Sequence, residues 1–305
     1  MKIVFFGTPY FAAEILKHLI QNNIQIVAVV TQVDKSHRYI PEVKKTALKL
    51  LPNIPIIQPE KASDLEFIES LKKFDADLFI VAAYGQILKE SLLNIPKLAS
   101  INIHASLLPK YRGANPIRSA ILNGDTITGI TIMKMVKKMD AGDIILKKEV
   151  DINDDENFQI LEKKLVDLSK DLIIETIKLF KEKKVLYTPQ DESKVSYSSK
   201  IKFEDRLIDW NDSAKDIFNK IRAFSLEPGA IAKIIIDNEE KNLKILKAQI
   251  VEIKLNPKET KIEKNSLIVG CKDKSLSVQI LQLQDKRSCD IVSFINGLKK
   301  EILFI

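Results

Sequence analysis

The chain has 305 residues, of which 45% are hydrophobic, with a formal net charge of +7 and two cysteines, Cys271 and Cys289. That length exceeds one typical domain and suits two, each with enough apolar residue for a core. Two distant cysteines exclude a disulfide framework and a zinc site of the usual spacing. No run is apolar and long enough to span a bilayer, and the opening M-K-I-V-F-F reads as a strand without a cleavage pattern, so a reducing cytoplasm is expected. The cationic surplus permits a polyanionic partner, but it is spread along the chain rather than packed into an arm.

Strand-like and helix-like segments alternate from the start. Residues 2–6 read as a strand, after which Gly7-Thr8-Pro9 turns into a helix to about residue 20. Thr8 is expected to cap that helix, with Pro9 in its first position. Residues 24–30 form the next strand, followed by a polar loop and a helix over 42–50. A short strand near Ile56, a helix over 64–72 and strands over 77–83 and 98–104 complete a β-α-β rhythm. This predicts an α/β, Rossmann-like, mostly parallel sheet covered by helices. Such sheets bind ligands at the carboxyl ends of their strands, and Gly7, Thr31, Ala83-Tyr84-Gly85 and Asn102/His104 all fall at predicted strand ends.

A long amphipathic helix is expected over 155–183. Residues 187–203 are polar, contain Pro189 and S-Y-S-S-K, and read as a linker between a domain over 1–186 and a second over 204–305. In the second, Ser213 should cap a helix to Phe224, and Pro228-Gly229 introduces short strands over 230–236, 243–254, 266–271 and 275–282. That pattern suits a small β-barrel of the oligonucleotide-binding (OB-like) type; a small sandwich fits nearly as well.

The most informative stretch is A-S-I-N-I-H-A-S-L-L-P-K-Y-R-G, residues 99–113. Side chains alternate across a strand, so Asn102 and His104 project to the same face. A carboxamide beside an imidazole suits chemistry in which negative charge grows on a carbonyl oxygen: the amide donates to the oxyanion, and the imidazole donates too or moves a proton. Taken alone, His104 reads as a structural histidine near a strand end; the Asn partner and the basic, aromatic loop that follows argue otherwise. Further on, V-K-K-M-D-A-G-D-I-I puts Asp140 in a tight turn before Gly142. A turn aspartate is ordinarily a turn former. Folded back to the same strand end, however, its carboxylate would orient His104, with Asp143 as the rival for that role.

Other chemistries lack their motifs. G-x-G-x-x-G, G-x-x-x-x-G-K-[ST] and G-x-S-x-G are absent, and His18 and His37 have no paired ligands, so no metal is expected.

F-F-G-T-P-Y-F-A, V-A-A-Y-G-Q-I-L, I-N-I-H-A-S-L-L-P-K-Y-R-G-A-N-P-I and the T-G-I-T-I-M-K-M to M-D-A-G-D-I-I segment resemble, in that order, the methionyl-tRNA formyltransferase family of folate-dependent formyltransferases. I-R-A-F-S-L-E-P-G-A and the I-D-W around Trp210 are similar to that family's carboxyl-terminal region. The resemblance implies transfer of a formyl group from 10-formyltetrahydrofolate to the amino group of methionyl-initiator tRNA, in support of translation initiation. By matched position it implies Asn102, His104 and Asp140 as the catalytic trio. Ser106, Leu107, Leu108 and Pro109 would form a loop against the folate, with Gly85 and Leu88 in a second lining segment. An apolar Leu107-Leu108 pair can cover a flat ring while backbone groups bond its edges.

For the tRNA, phosphate contacts are expected from Arg38, Lys202, Arg206, Lys286 and Arg287, with Lys35, Lys44 and Lys45 nearby in the loop after the second strand. That loop is shorter than in the resembled family and lacks its G-R-G-x-K. Trp210 is expected to pack at the domain junction. A monomer acting on tRNA and folate, with no membrane, is the resulting picture. The rivals are a folate-dependent formyltransferase for a small-molecule amine and a non-catalytic RNA-binding protein on the same scaffold.

Overall fold

The computed structural model describes residues 1–305 apart from 35, 37, 38, 237 and 299–301. It divides into two compact units. The first comprises Met1–Pro116, Ile127–Asp151 and Glu162–Ser199; the second comprises Ile117–Thr126, Ile152–Leu161 and Lys200–Ile305.

The first unit is built on a seven-stranded sheet. In chain order the elements begin β1 (Ile3–Gly7), α1 (Tyr10–Gln21), β2 (Ile26–Val30), α2 (Glu42–Leu50), β3 (Ile56–Ile57), α3 (Leu65–Lys72), β4 (Leu78–Ala82), α4 (Glu90–Leu93) and β5 (Ala99–His104). They continue with β6 (Arg112–Gly113), α5 (Pro116–Leu122), β7 (Ile127–Lys134), β8 (Ile144–Asp151), α6 (Phe158–Lys181) and β9 (Tyr197–Ser198), of which most of α5 and the first turn of α6 belong to the second unit. The sheet order is β3-β2-β1-β4-β5-β7-β8. The first five strands run parallel, and β7 and β8 pair antiparallel at one edge. Every residue of β1 and β4 is buried, as expected of central strands covered on both faces. Helix α1 buries Phe11, Ala12, Ile15, Leu16 and Leu19, a helical stripe against the sheet.

The chain steps outward from β1 in both directions, so the crevice between the ends of β1 and β4 is the topological switch point. Thr8 acts there, though not as a helix cap. Its hydroxyl donates to the Tyr84 carbonyl at 2.9 Å, and Pro9 occupies the cap position without a side-chain bond. Gln32 donates to the same carbonyl at 3.0 Å, so the loops after β1, β2 and β4 are tied together.

The second unit holds α7 (Ala214–Phe224), β10 (Ala230–Ile236), β11 (Glu239–Val251), β12 (Thr260–Glu263), β13 (Ser266–Gly270), β14 (Ser275–Leu283), β15 (Cys289–Asp290), α8 (Ile291–Gly297) and β16 (Ile302–Phe304). One antiparallel sheet, β12-β13-β14-β11-β10-β16 with β15 on β14, curls into a nearly closed barrel. Register shifts beside Lys247 let the long β11 bend. Alternate residues Ala230, Ala232 and Ile234 face inward with Leu243, Ile245, Leu276 and Val278, and Ile217, Ile221 and Phe224 of α7 close over them. Ser213 caps α7 through the Asp216 N–H at 3.1 Å, as expected. Trp210 is fully buried at the centre of this core, edge-on to Phe304 at 5.3 Å, and is therefore no junction residue.

Candidate active site

Strand β5 ends at His104, and its two-residue period puts Asn102 on the same face. The turn after β7 returns Asp140 to that strand end. Asn102 Nδ2 donates toward Asp140 Oδ1 at 3.4 Å, and His104 Nδ1 stands 3.8 Å from Asp140 Oδ2. Asp140 Oδ2 also accepts the Gly113 N–H at 2.8 Å. Asp143 lies elsewhere, close enough to the Tyr187 phenol to help burial push its pKa up. Asp140 is thus the carboxylate that faces the imidazole.

The other imidazole nitrogen, Nε2, is 2.9 Å from the Tyr111 carbonyl. A carbonyl can only accept, so Nε2 carries hydrogen and a neutral ring presents its lone pair at Nδ1. The 3.8 Å gap to Asp140 is too long for a hydrogen bond, so Nδ1 has none to the carboxylate. The ring is nearly buried, whereas Asn102 is half-buried and keeps a second N–H for a ligand.

The backbone around these groups is unusually constrained. Asp140 has φ +50° and Tyr111 φ +60°, each a left-handed conformation costing about 1 kcal/mol or more for a residue with a side chain. Gly113 has φ +124°, and a Cβ there would strike the Ser198 carbonyl oxygen. The segment whose composition suggests a linker holds this loop down. Arg112 and Gly113 pair with Tyr197 and Ser198, the Tyr111 N–H donates to Ser196 Oγ at 2.9 Å, and Asn115 Nδ2 donates to the Ser199 carbonyl at 2.8 Å.

The chain matches the formyl transferase family over residues 1–177 and the formyl transferase C-terminal domain over residues 200–299. It is 39% identical over 308 residues to the methionyl-tRNA formyltransferase of Protochlamydia amoebophila, covering 99% of this chain and 97% of that protein. It is 41% identical over 311 residues to the Staphylococcus aureus enzyme of the same name, covering 99% and 98%. The chain belongs to the methionyl-tRNA formyltransferase family.

Two solved structures share its fold. WlaRD, a sugar 3N-formyl transferase crystallised with dTDP and 5-N-formyl-THF, superposes with TM-score 0.67 at 23% identity, covering 94% of this chain and 99% of that one. HypX from Aquifex aeolicus, in complex with tetrahydrofolic acid, gives TM-score 0.70 at 18% identity, covering 98% of this chain and 48% of that one.

In this family member the residues matched to folate contact divide into two groups. Ser106 is fully buried: its hydroxyl donates to the Lys110 carbonyl at 2.6 Å, and its own carbonyl accepts from Thr131 Oγ1 at 2.7 Å. Leu108 is 1% exposed, packed with Met133 and Ile144, and Leu88 lies in the core beneath β4. These three shape the loops from within, so Leu107 and Leu108 do not act as a pair of covering side chains. Leu107, Pro109 and Gly85 keep accessible surface, Gly85 with φ +89° where a Cβ would strike Gln32. Ile87, between Gly85 and Leu88 in the V-A-A-Y-G-Q-I-L segment, is 83% exposed in the loop after β4. β4 and β5 are adjacent parallel strands, so the apolar Ile87 and Leu107 belong to neighbouring loops at one sheet edge.

Of the cationic candidates, Lys35 and Arg38 lie outside the described residues. Lys44 is committed to Asp34 at 2.6 Å and Gln58 at 2.7 Å, and Lys45 to Glu42 at 2.7 Å. Arg206 is largely structural: its Nε donates to the Gly229 carbonyl at 3.0 Å and its Nη2 to the Pro228 carbonyl at 2.6 Å. Lys202, Lys286 and Arg287 are exposed. Arg206, Phe203, Lys244 and Gln282 to Asp285 line one cavity of about 580 Å³; of the four described candidates of the second unit only Arg206 is in that lining, with Lys202 and Lys286 next in sequence to lining residues.

Proposed function

We propose that the protein transfers the formyl group of 10-formyltetrahydrofolate to the amino group of methionine esterified to initiator tRNA. The observation that carries this is the convergence of Asn102, His104 and Asp140 at one strand end, in a chain of this family. The donor is read from the family and from its folate-bound structural relatives, together with the accessible apolar Ile87 and Leu107, which suit one side of a flat ring.

The neutral amine attacks the formyl carbon, a C–N bond forms, and the carbonyl electron pair moves onto oxygen. Asn102 donates its free N–H to that oxygen. His104, held by the Tyr111 carbonyl with its Nδ1 lone pair free, takes the proton that the amine sheds. Asp140 offsets the imidazolium charge. Collapse of the tetrahedral intermediate breaks the bond to the folate nitrogen, which receives the proton, and the oxygen regains its double bond.

On the acceptor side, Lys202, Arg206, Lys286 and Arg287 are assigned to tRNA phosphates, and Arg38, in the loop that lacks the family's G-R-G-x-K, is assigned part of that loop's role. The chain is taken to act as a monomer in the cytoplasm, where charged tRNA is found. Among the described residues no helix is long and apolar enough to cross a membrane.

The test is formyl transfer from labelled 10-formyltetrahydrofolate to Met-tRNA, free methionine and a small amino sugar in parallel. Transfer to Met-tRNA alone is expected; preferential transfer to either small amine would overturn the acceptor assignment.

A further inference from the structure

We infer that Gln190 is a positioning residue, clamping the turn that carries Asp140 so that its carboxylate is held between Gly113, Asn102 and His104. The inference rests on the reading of Asp140 as part of the reaction.

Gln190 Nε2 donates to the Asp140 carbonyl at 2.9 Å and to the Gly142 carbonyl at 2.7 Å. Its Oε1 accepts from Arg112 Nε at 3.1 Å and from Nη2 at 2.8 Å. Both donors and both acceptor positions of the carboxamide are therefore used. Arg112 is fully buried and is neutralised by Glu192, with Nη2 to Oε1 at 2.7 Å; Glu192 in turn meets Lys138 at 2.8 Å. Arg112 is also the residue before Gly113, whose N–H holds the Asp140 carboxylate. One guanidinium thus fixes both sides of the site: the strand that supplies the N–H and, through Gln190, the turn that supplies the carboxylate.

Position in the fold accounts for the reach. Thr188 pairs by both backbone bonds with Ile144 at the start of β8, which sets Gln190 beside the turn at 140–142. Gly142 has no room for a Cβ, which would strike the Lys134 carbonyl, so the turn is tightly seated on that side also. Only a carboxamide satisfies the arrangement. A carboxylate at 190 would keep the Arg112 contact but turn oxygen toward two carbonyls; an aliphatic group would lose every bond.

The experiment compares Gln190→Glu, Gln190→Leu, Asp140→Ala and the Gln190→Glu/Asp140→Ala double variant in formyl transfer to Met-tRNA. Gln190→Glu is expected to lower kcat by about 10- to 100-fold, with KM for Met-tRNA within about threefold of wild type. In the Asp140→Ala background it should add less than about threefold, because the group it positions is gone. Gln190→Leu introduces no charge and reads the same loss where Gln190→Glu does not fold.

A large kcat loss in Asp140→Ala with none in either Gln190 variant would overturn this inference and leave the functional reading standing. Undiminished kcat in Asp140→Ala would instead remove the reading beneath it. A multiplicative double variant, a rise in KM without a fall in kcat, or failure of both Gln190 variants to fold would make Gln190 a residue of the fold rather than of the site.

Discussion

Asp140 takes the backbone N–H of Gly113 at 2.8 Å, joining the end of β6 to the turn after β7. This bond needs Gly113 at φ +124°, a conformation in which a Cβ would meet the Ser198 carbonyl. Gly113→Ala is therefore expected to cost about 1–3 kcal/mol in stability. Beyond that, it should lower kcat in the fraction that remains folded, because the carboxylate loses an anchor. Urea unfolding alongside single-turnover rates checks both; an Ala variant with wild-type stability and rate would contradict the geometry.

In the proposed reaction, Asn102 offers its remaining N–H to the formyl oxygen only once charge develops there. Removing one such donor costs on the order of 3 kcal/mol of barrier, a hundredfold or more in rate. Asn102→Ala should lose that much kcat while binding Met-tRNA with unchanged affinity. A loss of less than about tenfold would exclude it as the oxyanion donor.

Arg206 and the Lys286-Arg287 pair should separate cleanly. Loss of the Arg206 guanidinium leaves the Pro228 and Gly229 carbonyls without their charged donor, so Arg206→Ala should destabilise the C-terminal unit by roughly 1–3 kcal/mol. The exposed Lys286 and Arg287 should contribute no such stability. Their double alanine variant should instead weaken tRNA binding and flatten its salt dependence, by about 0.7–0.9 in log–log slope for each phosphate no longer neutralised. An unchanged slope would remove the pair from the tRNA interface.

The Arg112 and Lys138 cations hold the Glu192 carboxyl down at about 2 from an ordinary 4.5. A carboxyl depressed in the folded state contributes stability above its unfolded value, and that contribution is lost as pH falls through the folded one. Glu192→Gln should thus lower Tm at neutral pH, with the gap to wild type closing between pH 4.5 and about 2. Thermal melts across that range check it; a gap that stays constant to the acid end would contradict the pairing.

Much of the site is legible in the sequence because it depends on local rules. The two-residue period of β5 puts Asn102 and His104 on one face, and the Gly142 turn marks Asp140. The alternation of strands and helices carries the parallel sheet, and the short strands after Pro228 carry the barrel. What escapes depends on long-range partners. Gln190 lies in a polar, Pro-containing stretch whose composition resembles a linker, and its meaning comes from Arg112, far earlier in the chain. The buried positive charge of Arg112 in K-Y-R-G is the available signal, since such a charge requires partners from elsewhere. Thr8 reads as a cap because capping is a local preference, yet the Tyr84 carbonyl across the sheet claims its hydroxyl. Leu107 and Leu108 are chemically alike in sequence, and only the folded loop leaves Leu107 accessible while Leu108 packs against Met133 and Ile144. Trp210 likewise finds Phe304 almost at the other end of its unit.

The joint action of His104 and Asp140 is tested most sharply by the single-turnover rate of formyl transfer to Met-tRNA for His104→Ala, Asp140→Ala and their double variant. Groups that act as one unit give strongly non-additive losses. Each single change is predicted to cost about a hundredfold or more, and the double variant to fall within about threefold of the slower single one. A His104→Ala rate within about tenfold of wild type, or a double loss equal to the product of the singles, would contradict it.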